Sequence, residues 1–551
     1  MRKLFQLGLP VLVACLIPSI ASAQNFRVQC PLTTTLHPGA KSDQGAVKCQ
    51  QISGGDGYAT MADGTQTYLF SFGPLSGLND IANGMPGTQP ADVFMTPYDP
   101  SAGPNSKAAN GAVGLIPDLE ALPLNRRGNN PCVVNPNRAG CYSGHVDPRQ
   151  IMDVGVMNGN IPAPMMAIDE DDEFFLTLTN VGMIMRPDLF EQHTVHFHGY
   201  PNASSFYDGV PDASVAINIG GSFTYYYLAP DAGTYFWHCH ITPPEHLQMG
   251  MVGQLYVRPR QNRVKNGTLF ANLVQQQADR RTACYSQGPT PGSYDPAHPD
   301  ILCSSPLPAA NQNTTRGKNQ NGDPTLFAYN DGDGSTAYDV EYPIQIHGFD
   351  PSFHFVGMTF NPEQFVDMKD KYFLLNGRSY PDTVQTATYV DPGAGTGNSD
   401  FVGQPRVSNA IYTQDADGVA RPSQPLSAVI NIPKGGKALL RISDLDVTEF
   451  QTLASLGIPM HVIGVNARLL RDLAGNDMTY YSNSITLGGG ESIDVILDAS
   501  DPKYQPHQTY YLYTPNLDHL SNDAENFGGL MTEVHICGKV DPNTKIGTDC
   551  N

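Results

Sequence analysis

Residues 233–251 read GTYFWHCHITPPEHLQMGM and place three histidines, one cysteine and two methionines within nineteen positions. A blue-copper site needs two imidazoles, one thiolate and usually a weak axial thioether. Cys239, His246 and Met251 supply three of these four groups, and the two prolines of ITPPE (241–245) predict a turn between them. The fourth ligand must come from another strand, and His193 in HTVHFHG (193–199) is the best candidate.

The remaining histidines of these two stretches form pairs with one residue between them. Residues i and i+2 of a β-strand point to the same face, so His238 and His240 are expected to face one side and Cys239 the other. His196 and His198 would form a matching pair on a neighbouring strand. The pattern predicts two metal centres on opposite faces of one strand, an arrangement that suits electron transfer between them. Structural zinc is disfavoured because it prefers a closed set of four ligands without methionine.

The cysteines indicate an oxidising compartment. Apart from Cys15 in the N-terminal apolar run, nine cysteines remain, and Cys239 is the one left over when the other eight are grouped by proximity. Export would allow these eight to form disulfides. The expected pairs are Cys30–Cys49, Cys132–Cys141, Cys284–Cys303 and Cys537–Cys550. An unpaired cysteine between two histidines is best explained as a metal thiolate.

The N-terminus predicts export. A basic start and an apolar stretch lead to Ala21-Ser22-Ala23, which has the form of a secretory signal cleaved after Ala23. A lipoprotein attachment site at Cys15 is the alternative, but the apolar run continues past it to a good cleavage site. We therefore expect a protein that is secreted or periplasmic. The formal charge of −21 makes nucleic acid and anionic membrane surfaces poor partners.

Short strands joined by turns dominate the rest of the chain. Strand-like runs follow one another at the spacing of a β-sandwich from 163 to 260, and a second β region begins at 341. The first region includes EFFLTLTNV (173–181), which alternates as a half-buried strand does, and SVAINIG (214–220), and QTYLFSF (66–72) predicts a further strand before it. The run YNDGDGSTAYD (329–339) loosely suggests a calcium loop, but it lacks the terminal Glu, and a turn cluster is preferred. We expect an all-β fold of tandem Greek-key sandwiches with a loop-rich N-terminal extension. The expected divisions are 1–23 (signal peptide), 24–150 (loop-rich part), 151–260 (copper-binding core), 261–340 (linker or insertion), 341–540 (second sandwich) and 541–551 (tail).

The histidine motifs resemble those of the multicopper oxidases, whose domains are cupredoxins. HTVHFHG looks like their HPxHLHG motif, and the HCH, His246 and Met251 pattern looks like HCHxxxHxxxxM. The resemblance implies copper as the cofactor and dioxygen as the electron acceptor. By position it assigns the type 1 copper to His193, Cys239, His246 and Met251, and half of the type 2/3 cluster to His196, His198, His238 and His240. Five residues separate His240 from His246, whereas the family usually has three.

The same block also resembles copper nitrite reductases, which carry type 1 copper in their first domain. In that family the residue matching His196 is an aspartate, and the residue matching His240 is not a histidine. Both differences favour the oxidase.

The second half resembles cupredoxin domains in which the copper motifs are degraded. Gln345 in IQIHG, and Thr514 and Asn516 in YYLYTPNLDH, stand where paired histidines would fall. His461 and His519 are further ligand candidates, although an interior structural role is the alternative for His461. A neighbouring copy, as in the trimers of two-domain relatives, is one way to complete the cluster. Unpaired ligands from several loops or an incomplete cluster are the others.

Three functions are therefore expected, in order of preference. The first is an exported multicopper-oxidase-like enzyme that takes single electrons from a small-molecule or metal-ion reductant, relays them through Cys239, His238 and His240, and reduces dioxygen. A non-catalytic electron carrier or copper-binding module is the second, and a copper nitrite reductase is the third. Copper stoichiometry would separate the first two.

Overall fold

The computed structural model describes residues 28–39, 45–116, 146–199, 205–229, 231–277, 308, 317–318, 322, 324–357, 365–385, 412–414, 420–422, 426–472 and 474–550. The expected signal peptide, the alternative lipid site at Cys15, and the pairs Cys132–Cys141 and Cys284–Cys303 lie outside these residues.

The first sandwich packs two sheets face to face. Its strands are β1 (Val47–Thr60), β2 (Gln66–Pro74), β3 (Gln89–Pro90), β4 (Met166–Asp169), β5 (Glu173–Gly182), β6 (His196–Phe197), β7 (Ser222–Leu228), β8 (Gly233–His238) and β9 (Val252–Arg258). One sheet has the order β2-β1-β5-β7 with β3 beside β1, and the other has the order β4-β9-β8-β6. Strands β1 and β2 come from the part predicted to be loop-rich, and β1 pairs with β5 in parallel.

Alternation along the strands explains this core. In β5, Phe174, Leu176 and Leu178 are fully buried at every second position, as the period of a strand requires. They pack in one cluster with Trp237 of β8 and Leu255 of β9, which belong to the opposite sheet. The strand that leads into Cys239 is therefore held by the core of the sandwich.

Two predicted strands are shorter than expected. SVAINIG (214–220) contributes only a bridge between Ile217 and His193, whose backbone groups exchange hydrogen bonds of 3.0 and 3.1 Å. HTVHFHG forms only the two residues of β6. Near the metal motif the backbone thus forms a short strand and a single bridge instead of long hydrogen-bonded strands. The side chains of these residues can therefore converge on one site.

The second sandwich has the same two-layer construction. Its strands are β12 (Val340–Phe349), β13 (Tyr372–Leu375), β16 (Ile430–Pro433), β17 (Lys437–Asp444), β18 (Gln451–Leu456), β19 (Met460–Val465), β20 (Arg468–Leu469), β21 (Tyr480–Ser482), β22 (Ser484–Leu487), β23 (Ser492–Asp498), β24 (Gln508–Tyr513) and β25 (Met531–Cys537). The sheet orders are β13-β12-β17-β23-β19-β20, with β21 beside β19, and β16-β25-β24-β18-β22. The predicted all-β class and the tandem sandwiches are confirmed.

Three small strand pairs lie outside the two sandwiches. They are β10 (Leu326–Phe327) with β11 (Ala337–Tyr338), β14 (Tyr412–Gln414) with β15 (Ala420–Pro422), and β26 (Lys539–Val540) with β27 (Gly547–Thr548). The segment between β10 and β11 is a turn cluster, as preferred over a calcium loop. Its Asp331 carboxylate accepts hydrogen bonds from Gly334 N, Thr336 N and the Gln261 side chain.

The described helices are short. They are α1 (Leu78–Ala82), α2 (Ala91–Phe94), α3 (Pro148–Gly155), α4 (Pro243–Gln248), α5 (Leu269–Gln277) and α6 (Pro351–Gly357). The 3-10 turns are Lys107–Ala109, Val113–Leu115, Ser205–Tyr207, Arg260–Asn262, Phe365–Asp367, Asp382–Val384 and Leu517–His519. Helix α4 replaces the simple turn predicted from ITPPE, because proline at the first helical positions is already fixed at a helical φ. Among the described residues, no helix has the length and apolar character needed to cross a membrane.

Two of the four expected disulfides lie in the described part of the chain, and both are confirmed. Cys30 is bonded to Cys49, and Cys537 is bonded to Cys550. Cys239 is the free, buried cysteine of the described residues, as the pairing argument predicted.

Buried polar contacts join the two sandwiches behind β8. Thr234 Oγ1 donates to Asp494 Oδ1 at 2.6 Å, and Ser492 Oγ donates to the Thr234 carbonyl at 2.6 Å. On β9, Gln254 Nε2 donates to the Arg441 carbonyl at 2.8 Å and to Ser443 Oγ at 2.9 Å. The second sandwich thereby fixes the outer face of the strands that carry the metal motif.

Gly253 tests how tightly this region is packed. It lies opposite Trp237 in the β8–β9 ladder, and a Cβ at position 253 would lie 2.5 Å from the buried Trp237 ring. Gly253→Ala is expected to lower the free energy of unfolding by about 1–3 kcal/mol, because neither the backbone nor the indole has room to move. The measurement is guanidinium unfolding followed by fluorescence of Trp237, which is the only tryptophan.

The matched control is Gly103→Ala, where a Cβ meets nothing within 4 Å. It is expected to change the stability by less than about 0.5 kcal/mol, as is usual for surface positions. Equal stability of the two variants would contradict the packing argument.

Candidate metal centre

One ligand group consists of His193, Cys239 and His246. Their ligand atoms all lie within 4.8 Å of one another, and all three residues are fully buried. Cys239 directly follows β8, His246 lies on α4, and His193 is held by its backbone bridge to Ile217. The structure thus brings together the three predicted type 1 ligands that come from three separate elements.

The polar atoms of this group fit a metal ion. Neither ring nitrogen of the buried His193 has a hydrogen-bond partner. Leaving a buried donor and acceptor unpaired costs about 1–3 kcal/mol for each group, so such atoms require an explanation. Two imidazoles and a thiolate are the donor set that suits copper in a blue-copper site. The implied cofactor therefore fits the residues that are present.

Cys239 and His246 each stabilise the charged form of the other. Burial alone would raise the pKa of Cys239, but attraction to His246 and the hydrogen bond between them outweigh burial and lower it. Burial likewise opposes the charged form of His246, yet the Cys239 thiolate raises the pKa of this imidazole to about 10. The two atoms, His246 Nδ1 and Cys239 Sγ, are 3.2 Å apart. Without a metal, Cys239 and His246 thus each favour the charged form of the other.

Met251 is the predicted axial ligand. It is fully buried and directly precedes β9, which pairs with β8. Its carbonyl accepts a hydrogen bond from Cys239 N at 3.1 Å, and its own N–H donates to the His246 carbonyl at 2.8 Å. The backbone therefore ties the predicted thioether directly to two of the other ligands.

A second ligand group consists of His196, His198 and His238, again with ligand atoms within 4.8 Å of one another. The Nε2 atoms of His198 and His238 are 3.0 Å apart. The His240 ring centroid is 5.0 Å from that of His196 and 5.4 Å from that of His238, so the fourth predicted residue lines the same space. The period-2 argument thus predicted which histidines share a face.

Hydrogen bonds to carbonyls orient two of these rings. His196 Nδ1 is 2.7 Å from the Asp208 carbonyl, and His238 Nδ1 is 2.6 Å from the Cys239 carbonyl. A carbonyl oxygen only accepts, so each Nδ1 donates and each Nε2 keeps its lone pair, which is the usual orientation of a metal-binding histidine. Burial lowers the pKa of all three imidazoles: that of His196 falls below its ordinary value, that of His198 falls to about 4, and that of His238 falls well below its ordinary value. These imidazoles are therefore neutral at pH 7.

The second sandwich faces this group with carboxylates instead of histidines. A cleft between the sandwiches is lined by His198 and Leu247 on one side and by Asp446, Thr448 and Glu449 on the other. Within the described residues, neither ligand group includes a histidine of the second sandwich. The degraded motifs in the second half are consistent with this arrangement.

The backbone of the second sandwich nevertheless comes close to His198. Gly490 has a φ of +92°, and a Cβ there would lie 2.7 Å from His198 Nδ1. Glycine at this position is what allows the close approach.

The structure does not bring His461 or His519 to either ligand group. The His461 ring stacks on Tyr481 with centroids 4.4 Å apart, and its Nε2 bonds the Thr479 hydroxyl at 2.9 Å. The His519 ring stacks on Phe373 at 3.7 Å and is bonded by polar side chains. Both rings are held by neighbours in their own sandwich, away from the two ligand groups.

Sequence reasoning missed the residues that shape the first group. The Phe70 ring stacks on His193 with centroids 6.4 Å apart and meets His246 edge-on at 5.1 Å. Thr194 N lies 3.4 Å from Cys239 Sγ, and the Thr194 hydroxyl accepts a hydrogen bond from His240 N at 2.9 Å. Only the alternation of QTYLFSF, which places Phe70 on the inward face of β2, could have indicated this residue. Nothing in the sequence around β2 links it to the metal motif.

Comparison with known proteins agrees with this site. Residues 142–262 match the family model described as "Multicopper oxidase". This segment is a multicopper oxidase domain. The match includes every residue of both ligand groups and confirms the expected resemblance, and the family implies copper.

Similar proteins match the chain over comparably short segments. The "Multicopper oxidase MCE" of Talaromyces pinophilus is 33% identical over 122 residues, which are 22% of this chain and 19% of that protein. "Laccase abr2" of Aspergillus fumigatus is 34% identical over 109 residues, 19% of this chain and 17% of that one. A "Copper-containing nitrite reductase" of Neorhizobium galegae is 34% identical over 106 residues, 19% of this chain and 25% of that one. Each match therefore spans only about a sixth to a quarter of the relative's own length.

The mutual stabilisation of Cys239 and His246 is testable in copper-free protein. Because His246 lowers the pKa of Cys239, the thiolate of the wild type should form at a lower pH than that of an ordinary thiol and be lost as the pH falls through the lowered pKa. In His246→Gln the attraction and the hydrogen bond from His246 are gone, so the pKa should rise and the thiolate should appear only at a higher pH than in the wild type. The measurement is a pH titration of the ultraviolet thiolate absorbance, with Cys239→Ser as the blank. Identical titrations of the wild type and His246→Gln would refute the pairing.

Proposed function

We propose that this chain is an exported copper oxidoreductase of the multicopper oxidase type. It would oxidise a small-molecule or metal-ion reductant by one electron at the Cys239 group and reduce dioxygen at the histidine group. One observation carries the proposal: His238 and Cys239 are consecutive residues, yet they belong to two different ligand groups. A module that only carried electrons would not need the second group.

Copper held by His193, Cys239, His246 and Met251 would supply one-electron redox chemistry, and copper held by His196, His198, His238 and His240 would supply the chemistry of dioxygen reduction. The chain itself provides the path between them. Cys239 is bonded covalently to both flanking histidines, and the 2.6 Å hydrogen bond from His238 Nδ1 to the Cys239 carbonyl adds a second connection. Burial of Cys239, His193 and Met251 excludes water from the first group.

The reductant is proposed to approach the edge of His246. Glu191 Oε2 lies 3.5 Å from His246 Nε2, and the Glu191 side chain is 26% exposed. Its neighbour Phe190 is 82% exposed. An exposed aromatic ring beside a carboxylate suits a phenolic reductant or a metal cation, which are the two classes expected from the sequence.

Export and self-association complete the proposal. The Ala21-Ser22-Ala23 signal and the disulfides Cys30–Cys49 and Cys537–Cys550 support a secreted or periplasmic location. The described residues provide no second-sandwich histidine for the His196 group. A second copy of the chain, as in a trimer, is therefore proposed as one source of the missing ligands.

Two alternatives remain distinguishable. A copper carrier is favoured by the carboxylates that face His198, and it would bind one copper per chain. A copper nitrite reductase would reduce nitrite, but the sequence has His196 where that family has aspartate. Copper content per chain, with uptake of dioxygen and of nitrite from a reducing dye, separates all three.

Cys239→Ser tests the first centre. Copper-loaded wild type should show the intense visible band of a copper(II)–thiolate bond, and this variant should lose the band because serine provides no thiolate. His238→Gln is the contrasting variant: it should keep the band but lose most dioxygen uptake, because His238 belongs only to the second group. Absence of the band from copper-replete wild type would rule out the proposed first centre.

A further inference from the structure

The last two carbonyls of α4 are held by histidines of the second sandwich. His347 Nε2 lies 3.1 Å from the Leu247 carbonyl, and His354 Nε2 lies 3.0 Å from the Gln248 carbonyl. The final carbonyls of a helix have no partner within the helix. Here the Leu247 carbonyl also accepts a hydrogen bond from Gly250 N in the following turn, at 2.9 Å. Leu247 and Gln248 directly follow His246, so the second sandwich contacts the backbone immediately next to a ligand.

His354 also reaches the first sandwich on its other side. Its Nδ1 lies 2.6 Å from the carbonyl of Tyr68 in β2. Two residues further along β2, the Phe70 ring packs on both His193 and His246. One imidazole, fully buried and stacked on Phe349 with centroids 3.8 Å apart, therefore joins α6, α4 and β2. Both of its nitrogens lie against carbonyl oxygens, but burial lowers the pKa of His354 to about 3, so the ring is neutral and only one of the two nitrogens donates a hydrogen bond.

The side chain of Gln248 is held by the same sandwich. Gln248 is fully buried, its Nε2 donates to Asp370 Oδ1 at 2.9 Å, and its Oε1 accepts from Asp350 N at 3.4 Å. Asp350 and Asp370 flank the His354 segment in sequence. Both the main chain and the side chain of residue 248 are thus fixed from outside the first sandwich.

Helix α4 has little to fix its own position. It is six residues long, and its hydrogen bonds include His246 N to the Thr242 carbonyl at 3.1 Å and Met249 N to the Glu245 carbonyl at 2.8 Å. Isolated helices of this length are unstable in water, so external contacts must set where this one lies. His246 and Met251 are on either side of the two residues that the second sandwich holds.

We propose that His354, supported by His347, is a positioning residue for the His193–Cys239–His246 centre. From a sandwich that contributes no ligand to this centre, it fixes the α4 backbone and, through β2, the ring that packs on both ligand imidazoles. The proposal rests on the proposed function, in that the centre is taken to bind copper. Groups that orient metal ligands commonly change metal affinity by 10- to 100-fold when they are removed.

Two substitutions at position 354 test this role. His354→Phe keeps a ring that can stack on Phe349 but removes both ring nitrogens, and with them the hydrogen bond that the neutral imidazole donates. His354→Gln keeps an amide that can donate to one carbonyl. Copper(II) is titrated into copper-free protein against a competing chelator while the copper(II)–thiolate band is recorded. His354→Phe should bind copper about 10- to 100-fold more weakly with a shifted or weakened band, and His354→Gln should recover part of both.

The matched control is His461→Phe. His461 is a stacked histidine of the same sandwich whose contacts with Tyr481 and Thr479 do not involve α4. Its copper affinity and band should equal those of the wild type. If His354→Phe behaves like this control, the proposal is wrong.

Hydrogen exchange of copper-free protein gives a second readout that needs no copper. In His354→Phe, amides of residues 245–251 should exchange faster, while those of β17 and β23 should be unchanged. A uniform increase over both sandwiches would show a merely structural role and overturn the proposal. If wild-type protein lacks the copper(II)–thiolate band, the proposed function fails, and local exchange still decides whether His354 positions this loop.

Discussion

The architecture of the centre depends on one constraint: the consecutive residues His238 and Cys239 belong to different ligand groups. Alternation along β8 separates their side chains, so moving the strand shifts both groups together. The strand end must therefore be rigid. The packing of Trp237 in the core and the buried bonds of Thr234 to Asp494 and Ser492 provide that rigidity from the two faces of the strand. Burial also keeps His193 and His238 neutral, as metal ligands must be.

The second sandwich supports the centre instead of completing it within the described residues. Its contacts to the first sandwich are polar and buried, and truncating one partner of such a contact leaves the other unsatisfied. That cost makes the relative placement of the sandwiches specific. The same sandwich presents Asp446 and Glu449 to the cleft beside His198, where the family resemblance implied histidines. Its histidines at 347 and 354 bond carbonyls of α4.

The sequence predicted what depends on local spacing. The period of two in HCH and HFH grouped the second-centre histidines correctly, and alternation in EFFLTLTNV predicted the buried face of β5. Features that depend on distant contacts were not predictable in this way. SVAINIG alternates like a strand, but it contributes only the bridge between Ile217 and His193, and its pairing ends there. His461 and His519 resembled ligands in isolation, and only the rings of Tyr481 and Phe373 show how they are satisfied.

The departure from the family spacing has a physical counterpart in the structure. Five residues separate His240 from His246, and α4 begins within them, at Pro243. A helix directs its final carbonyls past its C-terminal end, which here is next to His246. The Leu247 carbonyl accepts from Gly250 N in the following turn, and the Gln248 carbonyl meets His354 of the second sandwich. The proposed positioning role of His354 therefore acts on the same loop that departs from the family spacing.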